Sequence, residues 1–392
     1  MSMTDQTAIA GVGVTEFSMN SGRSELRLAL ESITAALEDA GLRPDEVDGL
    51  VALGMDNNEQ QAIARGLGLQ AVRFFALTPY GGGGGCGAVG LASMAISSGA
   101  ADTVVCFRAM NERSQQRFGT PLGQEGAPTF ASGWALETSW TLPYGMATAA
   151  GYIGQSARRY MYQYGASSED FGRVTVAARA FAASNPRARF YQRPITLEDH
   201  QESRMMADPL RLLDCCMESD GAVALVVTSA ERARDLRHSP ALIGAVAQGF
   251  GPDQVCMASV YRDDIASAPE TAIVAAQLWK QSGLAPTDVD AAIIYDHFTP
   301  AVLMQLEALG FCGPGEAPGF VRDGGIGPGG RLPVNPNGGQ LGEAYIHGFN
   351  GMAEAVRQLR GSAVNQIPGA EVVVVTAGSH TPTSGLILTQ DR

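Results

Sequence analysis

The sequence predicts an α/β protein made of two similar βαβ halves. The main observation is an internal repeat, in which residues 40–51 (AGLRPDEVDGLV) are echoed by residues 282–293 (SGLAPTDVDAAI). In each copy a helical stretch ends at a glycine, Gly41 or Gly283, and a proline follows shortly after, as is typical of helix C-termini. An apolar run comes next in each copy, which predicts a buried strand of a parallel sheet.

The remaining elements follow the same pattern, in which a helix runs into a short apolar strand. Short Val/Ile runs bounded by glycine are typical of strands that are buried on both faces. In chain order the predicted elements are helix 26–40, strand 49–53, helix 87–98, strand 103–107, helix 271–282, strand 291–295, helix 352–359 and strand 372–377. We expect the first half to comprise residues 1–110 and 209–250, and the second half to comprise residues 251–392.

An insertion of residues 111–208 interrupts the first half. It contains glycine, proline and aromatic residues, followed by arginine-rich helical stretches around residues 157–160 and 177–183. A long insertion in a duplicated fold is usually a lid, a wall of the substrate pocket or a subunit contact, and the sequence leaves these three open. The aromatic residues that could form a pocket wall or an interface are Phe118, Phe130, Trp134, Trp140 and Tyr144.

Composition and charge exclude several classes of function. The chain has 392 residues, of which 45% are hydrophobic, so it can fill a substantial core. Its net charge of −13 and its lack of clustered Lys and Arg exclude nucleic acid as a partner. The only lysine, Lys280, lies in a helical pattern where we expect a solvent-exposed side chain, so Schiff-base chemistry has one poor candidate.

Cysteine, histidine and hydropathy patterns point to a soluble protein of the cytoplasm without a metal centre. The 6 cysteines are irregularly spaced, so we expect reduced thiols that mostly fill the core. The 5 histidines show no HxH or HxxxH spacing, which argues against a metal site. No apolar run is long enough for a membrane span, and no export signal opens the chain.

Four segments resemble the thiolases, and within that family the sterol carrier protein X or lipid-transfer-protein branch. They are the glycine-rich helix start at residues 81–90, the ADPL to SDGA segment at residues 207–222, the YDHF motif at residues 295–298, and the NPNGG segment followed by Tyr345 at residues 335–345. The resemblance covers nearly the whole chain. It implies a duplicated thiolase-type fold with five layers in the order α-β-α-β-α.

The residues that carry thiolase chemistry differ in this chain. The nucleophilic cysteine of the family aligns near Gly84, two residues before Cys86, and the second cysteine should fall near residues 378–379, where the chain has none. Tyr295 and Tyr345 occupy the positions of two family histidines. Without a thiolate to carry the acyl group, acyl transfer to the enzyme has no route, although a pocket that stabilises a thioester enolate could persist.

These departures favour aldol chemistry on a CoA thioester, with tyrosines as acid and base. We expect Tyr295 and Tyr345 to move the protons, since a phenol can accept from an alcohol and donate to an enolate. The sequence does not assign which is base and which is acid. Asn335, Gly338 and Gly339 are expected to shape their loop. Further residues that could donate to the thioester oxyanion or support the site are His297, His347 and, at its edge, His380.

The resemblance further implies a substrate class and partners. Within the branch the chain is similar to bacterial steroid side-chain aldolases, which implies cleavage of a 17-hydroxy steroid carrying a three-carbon CoA ester into a 17-ketosteroid and propionyl-CoA. Coenzyme A would arrive with the substrate, and no separate cofactor is implied. The expected assembly is a homodimer that binds a MaoC-like hydratase subunit through an OB-type domain of unknown-function class 35.

Two other functions stay open at this point. A residual thiolase would form an acyl-enzyme on Cys86, although a small residue packing the helix start is the simpler interpretation of that cysteine. A subunit without catalytic activity would bind acyl-CoA or sterol within a hydratase complex, and neither tyrosine would matter to it.

Overall fold

The computed structural model describes residues 4–79, 81–115, 117, 139–252, 261–380 and 383–391. Three aromatic residues of the insertion, Phe118, Phe130 and Trp134, lie outside the described residues, so their expected place in a pocket wall or an interface stays a prediction.

The chain alternates strands and helices in both halves. The strands are β1 Thr7–Val14, β2 Gly49–Leu53, β3 Phe74–Thr78, β4 Thr103–Asn111, β5 Met205–Ala207, β6 Leu210–Arg211, β7 Asp220–Ser229, β8 Ala241–Gly249, β9 Ala291–Ile293, β10 Val372–Ala377 and β11 Thr383–Gln390. The helices are α1 Glu25–Ala40, α2 Gln60–Leu67, α3 Gly85–Ser97, α4 Ala149–Tyr164, α5 Ser168–Ser184, α6 Leu197–Glu202, α7 Ala230–Arg234, α8 Pro269–Ser282, α9 Thr299–Ala308, α10 Ala317–Arg322, α11 Gly339–Gly342 and α12 Phe349–Leu359.

Within the described part of the chain, nine strands form one mixed sheet in the order β3-β2-β4-β7-β1-β8-β11-β10-β9. The sheet divides where β1 pairs with β8, and each side repeats the same plan: β1-β7-β4-β2-β3 on one side and β8-β11-β10-β9 on the other. A parallel bridge from Ala292 to Val334 stands where the second side would have its fifth strand. This symmetry confirms the duplicated fold that the internal repeat predicts.

The two sides enclose a central layer of two helices, α3 and α12. One continuous apolar cluster joins Cys86 and Val89 of α3 to Met352 of α12 and to strands of both sides. A second cluster packs α1 and α2 on the outer face of the first side, and a third packs α8 and α9, with α4 and α5, on the outer face of the second. The layers therefore follow the predicted order α-β-α-β-α.

The two copies of the sequence repeat adopt the same local structure. Helix α1 ends at Gly41 with φ 76°, and α8 ends at Gly283 with φ 72°. This left-handed conformation favours glycine, which has no Cβ to clash with the backbone. A short 3₁₀ turn and then a buried strand follow each glycine, as predicted.

Several boundaries differ from the sequence expectation: β9 ends at Ile293, two residues before the predicted end, and α12 begins at Phe349, three residues before the predicted start. β4 extends to Asn111, four residues beyond the predicted strand, because antiparallel pairing with β7 continues to Asp220. β8, which the expected division places in the first half, hydrogen-bonds along β11 of the second. We therefore favour a division of the halves before residue 241, and the division itself stays a proposal.

The insertion carries helices α4, α5 and α6 between β4 and β7. Trp140 and Tyr144, near its described start, are 71% and 87% exposed in the single chain. Lys280 is exposed on α8, as predicted. Among the described residues, none of the helices has both the length and the apolar character needed to cross a bilayer.

Candidate active site

Tyr295 and Tyr345 meet in the interior of the molecule. The Tyr295 hydroxyl donates a hydrogen bond to the Tyr345 hydroxyl at 3.0 Å, and their rings pack edge to face with centroids 6.4 Å apart. Tyr295 is 5% exposed and Tyr345 is partly buried. The structure thus brings together the two tyrosines that stand in the family's histidine positions.

The backbone of Tyr295 is fixed by a buried polar network. Its N–H donates to Thr376 Oγ1 of β10 at 2.9 Å, and its carbonyl accepts from Gln305 Nε2 of α9 at 2.8 Å. The Thr376 hydroxyl in turn donates to Gln305 Oε1 at 2.7 Å. Because these groups are buried and satisfied by one another, the phenol is held in one position.

Asp296 joins the Tyr295 segment to the loop that carries Tyr345. Its carboxylate accepts from the backbone N–H groups of Gln340 at 2.8 Å and Leu341 at 3.2 Å, in the short helix α11. Gly339 lies so close that a Cβ there would be 2.1 Å from Asp296 Oδ2. Burial raises the pKa of Asp296 to about 6 in spite of these hydrogen bonds.

Asn335 and Gly338 shape this loop. The Asn335 side chain accepts from Ile294 N and donates to Ile294 O, each at 2.9 Å, so it completes the edge of β9. Asn335 has φ 53° and Gly338 has φ 106°, conformations that reverse the chain direction. Neither residue offers a free reactive group to the tyrosine pair.

His347 is held in one tautomer by a buried arginine. Arg108 Nε donates to His347 Nδ1 at 3.0 Å, and Arg108 also pairs with Asp56 at 3.0 Å. An arginine cannot accept a proton from the ring, so the neutral His347 carries its proton on Nε2. Burial and the Arg108 charge lower the pKa of His347 well below its usual value. The His347 ring packs edge to face on Tyr345 at 5.1 Å.

His297 lies next to Tyr295, and His380 lies close enough to His297 to interact with it. His297 packs against Tyr295 with centroids 5.0 Å apart and interacts electrostatically with His380. Burial lowers the pKa of His297 to about 3 and that of His380 to about 4, so both are neutral at physiological pH. Within the described residues, His297 Nδ1 and His380 Nε2 are buried without a hydrogen-bond partner. His380 Nδ1 is 2.8 Å from the Ser379 hydroxyl.

The glycine-rich turn before α3 packs directly on Tyr295. A Cβ on Gly82 would lie 1.7 Å from the Tyr295 hydroxyl oxygen, so glycine at this position leaves the space for the phenol. Gly84 is the N-cap residue before α3, and an added Cβ there would lie 2.9 Å from Thr78 Oγ1 and from the Pro79 carbonyl oxygen. The family's cysteine position, which aligns near Gly84, therefore lies in the turn that packs on Tyr295. Within this turn, Gly82 is the residue that contacts the Tyr295 hydroxyl.

Cys86 lies in the central core and not in the tyrosine site. Its side chain is 0% exposed and packs in the cluster between the two sides of the sheet. Burial raises the pKa of its thiol far above the usual value, so no thiolate forms at neutral pH. Core packing, the simpler interpretation of Cys86, is what this environment supports.

The phenols themselves are uncharged. Burial raises the pKa of both Tyr295 and Tyr345 well above the usual tyrosine value. Each neutral phenol can both donate and accept, so the 3.0 Å contact can pass a proton between the two oxygens. In the described part of the chain, no group of three His, Cys, Asp or Glu side chains is placed to hold a metal ion.

Sequence reasoning missed Gly82, Arg108 and Asp56. Gly82 is hidden in a run of five glycines, where no position stands out. Arg108 did leave a signal, because a charged residue inside the apolar strand β4 needs a buried partner. Asp56 gave none, since its contact with Arg108 exists only in the folded chain.

Comparisons with known proteins agree with this architecture. The family described as "Thiolase, N-terminal domain" matches residues 8–231, and "Thiolase C-terminal domain-like" matches residues 255–389. The chain is 58% identical to a "Steroid side-chain-cleaving aldolase" of Thermomonospora curvata over 385 residues, which is 98% of each chain. It is 56% identical to a "17-hydroxy-3-oxo-4-pregnene-20-carboxyl-CoA lyase" of Mycobacterium tuberculosis over 386 residues, 98% of this chain and 100% of that one.

A solved structure of an "Ltp2-ChsH2(DUF35) aldolase" superposes with a TM-score of 0.95 at 55% identity, and the match covers 100% of both chains. Two matched family regions, extensive identity and a shared duplicated architecture lead to one conclusion: the chain belongs to the thiolase superfamily.

Proposed function

We propose that this protein is a carbon–carbon lyase that performs a retro-aldol cleavage on a CoA thioester, with Tyr295 and Tyr345 as acid and base. The observation that carries the proposal is the hydrogen-bonded pair of neutral phenols at the positions of the thiolase histidines. Identity of 58% and 56% to two proteins named as an aldolase and a lyase supports the same reaction type.

The proton transfers balance within the tyrosine pair. One phenol oxygen accepts the proton of the substrate hydroxyl while its own proton passes to the second phenol across the 3.0 Å contact. The Cα–Cβ bond breaks, its electron pair forms the thioester enolate, and the hydroxyl carbon becomes a ketone. In the same relay the second phenol gives its own proton to the enolate carbon as it receives the proton of the first, so neither oxygen carries two protons at any stage.

His297 and His380 are the groups that fit stabilisation of the enolate oxygen. Both imidazoles are neutral, so each carries one N–H, and the tautomers with that proton on His297 Nδ1 and His380 Nε2 would leave both free to donate. Their unpartnered ring nitrogens are buried, where a hydrogen bond to a developing oxyanion is stronger than in water. His347 is held by Arg108 and supports the site by packing on Tyr345.

The proposed substrate is a 17-hydroxy steroid with a three-carbon CoA side chain, which would yield a 17-ketosteroid and propionyl-CoA. The names of the Thermomonospora curvata and Mycobacterium tuberculosis relatives support this choice. The mechanism invokes no metal, no resident cofactor and no Schiff base, and Lys280 is exposed on α8.

The proposed assembly is a homodimer that binds a hydratase subunit through a DUF35 domain of the OB type. The name of the solved "Ltp2-ChsH2(DUF35) aldolase" supports a DUF35 partner, and the hydratase subunit rests on the family resemblance alone. The edge strand β3 supports the dimer, because Phe75 and Leu77 are 68% and 55% exposed there. An exposed apolar edge strand is a template for pairing with a second chain.

The test is product identification with the purified protein and its DUF35 partner. Given the steroid 17-hydroxy acyl-CoA, we expect mass spectrometry to find equal amounts of ketosteroid and propionyl-CoA, with no acyl group on the intact protein. A thiolase would instead carry an acyl group on Cys86 and consume a β-ketoacyl-CoA together with free CoA. If the protein binds the CoA ester tightly but forms no product, the remaining interpretation is a subunit that binds the ester without catalysing a reaction.

A further inference from the structure

Glu112 is a buried carboxyl group at the edge of the tyrosine site that the mechanism above does not use. It is the first residue after β4 and is 3% exposed. The chain after it is fixed, because the backbone N–H groups of Arg113 and Ser114 donate to Asp220 Oδ1 at 2.9 and 3.0 Å. The Glu112 side chain therefore starts from a rigid position.

One residue links this carboxyl group to Tyr345. The antiparallel pairing of Asn111 with Asp220 brings Glu112 opposite Ser219, whose backbone N–H lowers the pKa of the Glu112 carboxyl group. The Ser219 hydroxyl oxygen accepts from the Tyr345 N–H at 3.2 Å. Glu112 also interacts electrostatically with the hydroxyl groups of both Tyr295 and Tyr345. Its second oxygen, Oε2, is buried and has no hydrogen-bond partner among the described residues.

We propose that Glu112 is a positioning residue for the lyase reaction, which holds the Tyr345 segment through Ser219 and places a carboxyl group next to the two phenols. This inference rests on the proposed function of the tyrosine pair. The open Oε2 position lets the carboxyl group offer a hydrogen bond into the site once substrate is bound.

The surroundings of Glu112 favour the uncharged acid. Burial, together with the nearby carboxylates of Glu218 and Asp220, raises the pKa of Glu112 well above its usual value, and the Arg108 charge opposes this only in part. The other titratable groups close to it are the phenols of Tyr295 and Tyr345 and the thiol of Cys216. A neutral carboxyl group adds no negative charge where the enolate develops, whereas an ionised one would oppose the enolate.

The first test compares Glu112→Gln with Glu112→Ala. Glutamine keeps the shape and the neutral charge, so we expect kcat within about threefold of wild type, whereas alanine should lower kcat at least about tenfold with little change in KM. As pH rises through the folded-state pKa, only the wild-type side chain ionises. The ratio of wild-type kcat to Glu112→Gln kcat should therefore fall as pH rises.

A double-mutant cycle tests the route through Ser219. Ser219→Ala should also lower kcat, and the combined Glu112→Ala and Ser219→Ala variant should lose less than the product of the two single effects. The proposal is overturned if Glu112→Gln is as impaired as Glu112→Ala, if the kcat ratio does not change with pH, or if Glu112→Ala has wild-type kcat.

A measurement without substrate separates this inference from the proposed function. The folded state holds the Glu112 proton at pH values where the unfolded chain has lost it, so this group's contribution to stability is complete below about pH 4.5 and declines as pH rises. Unfolding by urea should show wild type losing free energy relative to Glu112→Gln as pH rises. If the difference in unfolding free energy between wild type and Glu112→Gln stays constant with pH, Glu112 does not have the raised pKa that the inference requires. If the wild-type protein cleaves no substrate, only the proposed lyase function is contradicted.

Discussion

At the scale of single residues, the side chains of the site are neutral groups that form hydrogen bonds, and none of them is a thiolate or an imidazolium ion. Both phenols have a raised pKa, and His297 and His380 have lowered ones, so all four side chains are uncharged at physiological pH. Such a site cannot start from a thiolate or an imidazolium ion. It suits a reaction in which one proton is moved internally and no acyl group is bound to the protein.

Gly82→Ala should disturb Tyr295 without disturbing the fold. The added methyl would lie 1.7 Å from the phenol oxygen, so the ring must move away from Tyr345. We expect kcat to fall at least about tenfold while the circular dichroism spectrum stays unchanged. Gly319→Ala is the matched control, because nothing lies within 4 Å of its added Cβ. Equal kcat for the two variants would show that the Gly82 contact is irrelevant.

The residues of the tyrosine pair could be predicted from sequence, but their supports could not. Tyr295 and Tyr345 stand in family positions, and their convergence is confirmed, whereas their catalytic role stays a prediction. The packing environment expected for Cys86 is confirmed by its burial. Arg108 acts on His347, which is far away in the sequence, and no local pattern reveals a contact of that kind.

At the scale of elements, the site is assembled where the two halves face each other. Tyr295 follows β9 of the second half, while Gly82 precedes α3 of the first. The loop with Tyr345 and His347 packs against both segments. Helices and strands were predictable because glycine stops and apolar runs are local signals. The extension of β4 to Asn111 was not, because it depends on pairing with β7.

The Asp56–Arg108 pair should be a main support of the loop that carries His347. Asp56→Asn would leave Arg108, which is 2% exposed, as a buried charge without its carboxylate. Removing one partner of a buried pair typically costs about 3 kcal/mol or more of unfolding free energy. Urea unfolding measures this loss.

An exposed ion pair provides the comparison for that measurement. Asp102, at 70% side-chain exposure, pairs with Arg73, and Asp102→Asn should cost less than about 1 kcal/mol. Similar losses for the two variants would mean that Arg108 is satisfied without Asp56.

At the scale of the whole molecule, duplication produces one sheet with β3 at the outer edge of the first half. This edge carries Phe75 and Leu77 as exposed apolar side chains, and an edge strand of that kind is a template for pairing with a second chain. The five-layer order was predictable from the repeat and the family resemblance. The joining of both halves through β1 and β8 was not, because that pairing has no sequence pattern of its own.

If the protein forms the proposed homodimer through β3, Phe75→Asp should convert that dimer into monomers. A charge on the edge strand would be buried without a partner in the dimer, so association should weaken by a factor of at least about 100. Light scattering over a dilution series measures the mass. Val364→Asp, at a side chain that is 46% exposed away from β3, should leave the dimer intact. A monomeric wild-type protein, or a dimeric Phe75→Asp variant, contradicts the β3 interface.

The most direct measurement is kcat for carbon–carbon cleavage in Tyr295→Phe, Tyr345→Phe and Cys86→Ala, with the exposed Tyr162→Phe as a control. Each of the first two removes only the hydroxyl oxygen that carries the proton, so we expect each to lower kcat at least about 100-fold. Cys86→Ala and Tyr162→Phe should stay within about threefold of wild type. Near-normal cleavage in either site tyrosine variant, or its loss in Cys86→Ala, would contradict proton transfer by the tyrosine pair.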